Sequence, residues 1–156
     1  MTITYATAID LIGTAIEDFS NGLEEIQDSI ANEITFAVNN DLQIRDYLIG
    51  LPNSYPLNIC AGFLETLATM VPAGERFAYD TVNAMYQYEL ENMNTCKTLL
   101  EMAYEANPNY SLTKLVTRVV AAGWPSDSFT TMRNELAQSV LDHINENADY
   151  IIEGGN

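Results

Sequence analysis

The apolar positions of this chain fall at helical intervals almost from its start. Ile9, Ile12, Ile16, Phe19, Leu23, Ile26 and Ile30 alternate steps of three and four, which lines them along one side of an α-helix. The stripe crosses Ser20-Asn21-Gly22, and that triplet predicts a break. Asn21 would be the N-cap of a second helix, with Glu24 as the acid of a capping box. One long helix is the alternative, because the stripe keeps its phase.

After Asn39-Asn40-Asp41 a short helix carries Leu42, Ile44, Tyr47 and Leu48. Pro52 and Pro56 make the next stretch a loop, since each removes a donor and disfavours helix before it. A helix from roughly 57 to 70 buries Ile59, Phe63, Leu64 and Leu67, and Pro72-Ala73-Gly74 ends it. From Glu75 to Leu90 apolar side chains occupy nearly every face, the pattern of a helix packed on several sides and so central. A turn at Asn92-Met93-Asn94 leads into a helix with Cys96, Leu99, Leu100 and Ala103, closed by Asn107-Pro108-Asn109. Ser111 caps a helix carrying Leu112, Leu115, Val116, Val119 and Val120, which Gly123 stops and Pro125 keeps from resuming. The last helix is expected from Ser128 to Ile152, with Phe129, Met132, Leu136, Val140, Ile144 and Ile151 on one side. No segment alternates with period two. The expected fold is all-α, a compact bundle of about seven or eight helices with short connections, forming a single acidic helical domain over residues 1–156.

Composition agrees with a folded domain: 47% of residues are hydrophobic and 18% charged, too apolar for disorder. The charge is lopsided, with 22 acidic residues against six basic ones, a formal net charge of -16. Arg45 is the first cation in the chain. Such a field repels nucleic acid and anionic lipid, and attracts basic surfaces. No cofactor is expected, and neither direct nucleic-acid nor membrane binding. Two cysteines at apolar helix positions read as reduced core thiols, and with no basic leader or membrane-length apolar run the expected location is the cytoplasm.

Between Cys96 and Pro108 the order small, Leu100, Ala103, Pro108 looks like the second half of a tetratricopeptide repeat, so a TPR-like helical hairpin is expected inside the bundle. A longer series comprises Ile44-Arg45-Asp46-Tyr47-Leu48, Pro72-Ala73-Gly74-Glu75-Arg76, Leu100 to Pro108, Tyr110-Ser111-Leu112, Leu115 and Ala122-Gly123-Trp124-Pro125. This order resembles the helical C-terminal part of the mostly actinobacterial family catalogued as domain of unknown function 4192. The resemblance covers about half the chain and implies a helical fold without an activity. Two departures stand out: family members carry a further N-terminal portion, and their usual Gly-Asp turn after the central helix is here Glu91-Asn92-Met93-Asn94.

Candidate chemistry is sparse. His143 is the lone histidine, read as partly buried, and no metal spacing, phosphate loop or nucleophile elbow is present. A Cys–His pair with Cys60 or Cys96 would need thiols that instead fall at packing positions. The expectation is a protein that is not an enzyme. Trp124 is expected to pack over a helix end, and Lys114 and Arg118 to form local salt bridges.

The acidic residues form rows. Glu135, Asp142, Glu146, Asp149 and Glu153 recur at steps of seven, four, three and four, which places them on one face. Asp10, Glu17, Glu24 and Asp28, at steps of seven, seven and four, share a face near the start, with Asp18 and Glu25 alongside. On helices such carboxylates stand ~6 Å apart, similar to phosphates along a strand. Acids near a helix C-terminus also oppose its dipole. The functional expectation is a non-catalytic inhibitor that docks Asp142, Glu146, Asp149, Glu153, Glu135, Glu17, Glu24 and Asp28 on a basic protein. That partner would be a nucleic-acid-handling protein such as a restriction or CRISPR effector, the inhibitor mimicking DNA as a phage protein would. The alternatives are a solvated face serving solubility, a TPR-like scaffold or self-association module (homodimer included), and a small hydrolase using carboxylates and His143.

Overall fold

A computed structural model describes residues 1–23 and 25–154. Among these are eight α-helices: α1 (Tyr5–Ser20), α2 (Asp28–Asn40), α3 (Leu42–Gly50), α4 (Leu57–Thr69), α5 (Phe77–Glu89), α6 (Met93–Ala106), α7 (Ser111–Ala121) and α8 (Ser128–Glu146). The all-α expectation holds. One short antiparallel pair is added to it, β1 (Ile3–Thr4) with β2 (Ile151–Ile152), in the register Ile3 to Ile152.

The apolar-all-round segment is the axis of the fold. Ten of the 13 residues of α5 are buried, and its side chains reach most of the surrounding elements. Tyr79 shares a 2.8 Å hydrogen bond with Thr35 on α2, and Thr81 a 2.7 Å one with Thr113 on α7. The Tyr86 hydroxyl donates to the Leu48 carbonyl of α3, and that of Tyr88 to the Trp124 carbonyl. Glu89 binds Arg133 on α8. Polar tips on an otherwise apolar helix thus fix the azimuth of each neighbour, which dispersion alone would specify loosely. The core is one continuous cluster around this helix. Among the described residues no helix is long and apolar enough to cross a membrane.

Three helix ends share one device. At the end of α1 the Leu23 amide donates to the Asp18 carbonyl and the Gly22 amide to Phe19, with Gly22 at φ +92°. This is a Schellman ending, in which a left-handed residue turns the chain away from the helix. The break near Asn21 is therefore real, but Asn21 closes α1 instead of opening α2. The first helical residue of α2 is Asp28, after an extended Gln27. Glu24, the other half of the expected capping box, lies outside the described residues. Gly123, at φ +68°, ends α7 in the same way. At the end of α5 the left-handed position is taken by Glu91, at φ +61°.

The last helix is shorter than its apolar stripe suggests. Asn147 ends it, its amide and side chain both taking the His143 carbonyl. The chain then crosses to the opposite terminus. The amides of Tyr5 and Ala6, which open α1 and have no partner within it, donate to the carbonyls of Tyr150 and Ala148 at 3.0 Å each. Ile152 is fully buried beside Ile3, and the Tyr5 ring lies 4.8 Å from that of Tyr150. Satisfying α1's orphan donors and burying Ile152 outweighs another turn of α8. Ile151, placed on the apolar stripe of that helix, is instead half exposed on the strand.

Candidate functional site

On α8, Glu135, Asp142 and Glu146 are exposed and, at steps of seven and four, share one row. Asp149 and Glu153 are exposed too, but not on the helix: Asp149 lies in the turn after Asn147, and Glu153 follows β2. The dipole penalty expected for these two therefore does not arise. It does apply to Glu146, in the last turn of α8, where His143 is the one basic side chain.

Near the start of the chain the second row divides. Glu17 is exposed in the last turn of α1 and accepts a 2.6 Å hydrogen bond from the Tyr55 hydroxyl. That bond pushes the phenol up to about 12. Asp28 opens α2, where a carboxylate favours the helix dipole, so its position has a local structural use. Asp10, Asp18 and Glu25 rim a cleft of about 280 Å³ between α1 and the segment before α2, floored by Leu11, Ala15, Ile26 and Ile30. The first turn of α1 meets the end of α8, with the Tyr5 and His143 rings 6.2 Å apart, so the two acidic elements are neighbours.

Among the described residues the carboxylates of these rows form no ion pair with a cation. Two ion pairs form there, Arg45 with Asp46 and Arg133 with Glu89, and neither includes a residue of the rows. Asp142 accepts a hydrogen bond from the Gln138 amide at 2.8 Å. Lys114 and Arg118, expected to be tied up in salt bridges, are exposed and have no carboxylate within 4.0 Å among the described residues.

The residues considered for catalysis are dispersed. Cys60 and Cys96 are fully buried, and burial pushes their thiols up to about 12 and about 11, far from the thiolate that a nucleophile needs. His143 is exposed rather than partly buried. Trp124 is also 55% exposed. Its backbone carbonyl, not its ring, is what the packed Tyr88 holds. Tyr104 and Tyr150 are more than half exposed, while Tyr110 is half-buried with its ring 4.8 Å from that of Phe77.

Two buried polar features escaped the sequence. Arg133 binds Glu89 through two parallel bonds of 2.8 and 2.6 Å, and Thr130 donates to the same carboxylate at 2.9 Å. Asp80 on α5 is 4% exposed, and desolvation raises its carboxyl to about 6 against the opposing pull of Arg76. The spacing signal for the first was present, since Arg133 falls four residues after Phe129 and seven before Val140 on the buried side of α8.

Comparison of this chain with family models, curated proteins and solved structures gives no match.

Proposed function

We propose that the chain is a non-catalytic binding protein that sets its acidic terminal surface on a basic protein, one that itself handles nucleic acid. The observation that carries this reading is the exposure of Glu135, Asp142, Glu146, Asp149 and Glu153 with no ion pair among them. An unneutralised row projects its potential into solvent and steers a cationic surface toward it. Asp142 and Glu146 stand about 6 Å apart along α8, close to the spacing of successive phosphates, with Glu135 about 10 Å further along the same row. A groove built for a nucleic-acid backbone is the natural counterpart. In this reading the protein acts as an inhibitor by occupancy, of the kind that would serve against a restriction or CRISPR effector.

The test is capture of partners by the wild-type chain and by a variant carrying Asp142→Lys, Glu146→Lys, Asp149→Lys and Glu153→Lys. The reading predicts basic nucleic-acid-handling proteins on the wild type, their loss on the variant, and their release by high salt. All four residues are exposed, and a lysine at Glu146 complements the dipole at the end of α8 by ~0.3–1 kcal/mol, so the variant should melt close to the wild type.

A second reading, a helical scaffold, draws on the α6–α7 side. There a groove of about 540 Å³ runs past Leu100, Val120 and the exposed Tyr104. It predicts contacts through tyrosine and methionine that salt leaves intact.

A further inference from the structure

Three leucines that helical spacing assigns to the core are outside it. Leu42 is 62% exposed, Leu115 49% and Leu136 48%. They belong to three helices, α3, α7 and α8, yet border one continuous groove. An enclosed part of about 200 Å³ has Leu115 and Leu136 at its rim, with Ile49, Leu112, Met132 and Val140 below. A wider part of about 560 Å³ opens from it past Arg45 and Leu112 to Leu42 and Tyr110. The groove exists because α7 packs on α5 and α6 while α8 packs on α3, leaving the two helices as separate banks.

The banks differ in charge. On α7, Lys114 and Arg118 flank Leu115, both exposed and neither in an ion pair among the described residues. On α8, Glu135 flanks Leu136, also exposed and unpaired. The charges in the groove itself, Arg45 with Asp46 and Arg133 with Glu89, are paired within the chain. A mostly apolar floor therefore lies between helices whose exposed outer charges are cationic on α7 and anionic on α8, a self-complementary arrangement. A two-fold axis running along the groove lays α7 of one copy over α8 of the other, setting Leu115 against the partner's groove and Arg118 toward its Glu135. Isologous contacts of this kind close after two subunits.

We infer that this groove is where a second copy of the chain binds, forming a two-fold dimer through α7 and α8. The arrangement gives Arg118 the counter-charge it lacks in one copy, and removes the exposed Leu115 and Leu136 from water. It draws Glu135 out of the acidic row, but its test leaves Asp142, Glu146, Asp149 and Glu153 unchanged, so the two readings fail separately. Overall charge opposes it, since two strongly anionic copies repel across a Debye length that is long at low salt.

Sedimentation equilibrium from low-micromolar to near-millimolar concentration, at physiological salt, tests the inference. The wild type should pass from monomer to dimer, and Leu115→Asn with Leu136→Asn should weaken association about tenfold or more. Both leucines are half exposed, so this variant should melt as the wild type does. Arg118→Glu should weaken association, and adding Glu135→Arg should restore it. A wild type that stays monomeric throughout overturns the inference, as does an asparagine variant that associates unchanged. A charge swap that fails to rescue overturns the two-fold arrangement.

Discussion

Arg133 and Glu89 form a two-bond ion pair with side-chain exposures of 5% and 6%. It joins the end of the central helix to the middle of the α8 row-bearing helix, so it fixes the surface on which the acidic residues stand. Both charges are out of water, and each is tolerable because the other is present. Removing one partner should therefore cost far more than removing both. Glu89→Gln or Arg133→Met is expected to lower unfolding free energy by about 3–5 kcal/mol, whereas a well-packed apolar replacement of both should come close to wild type. Denaturant melts of the two single variants and the double variant measure this directly.

Glu91 holds a left-handed backbone at φ +61° between α5 and α6, where a side chain other than glycine's is strained. Its carboxylate also stands at the negative end of the α5 dipole. Glu91→Gly should relieve both and raise stability by about 1 kcal/mol, seen as a higher melting temperature. An unchanged or lowered melting temperature would show that the carboxylate makes a compensating contact.

Asp80 should make stability fall as pH rises. Its carboxyl is raised from 3.8 to about 6 in the folded chain by desolvation, so the native state holds the proton more tightly than the unfolded one. The neutral acid is accommodated fully below the unfolded value, and the cost of a buried charge grows until about pH 6 and then levels off. Asp80→Asn should remove that slope and stabilise the protein by about 2 kcal/mol at neutral pH, while leaving it near wild type at pH 4. Equal slopes for both proteins would assign the pH response to other carboxylates.

The helical core was legible because its signal is periodic. The run from Phe77 to Leu90 identified the central helix, and Gly123 with Pro125 marked the end of α7. Helix ends were less legible where the same residues serve opposite purposes: Asn21-Gly22 opens a helix in one geometry and closes one in another, and the closure wins because Gly22 reaches positive φ without strain. The early end of α8 was hidden because its cause is distant. The stripe through Ile144 to Ile151 continues in phase, and only the pairing of Ile152 with Ile3 shows why the chain leaves the helix. For the candidate site, spacing placed Glu135, Asp142 and Glu146 on one row but extended that row onto Asp149 and Glu153, which have no helical register. Spacing also gave no sign that Leu42, Leu115 and Leu136 border an open groove, since an apolar stripe specifies a side of a helix and not what covers it.

The central claim is that the exposed carboxylates of α8 and the segment after it attract a basic, nucleic-acid-binding partner. It is tested most directly by titrating a captured and purified partner with the chain across a range of salt, with and without the nucleic acid that the partner binds. The account predicts that log affinity falls steadily with log salt, that nucleic acid and the chain exclude one another, and that the fourfold lysine variant loses binding while remaining folded. Affinity indifferent to salt, or retained by that variant, would contradict it.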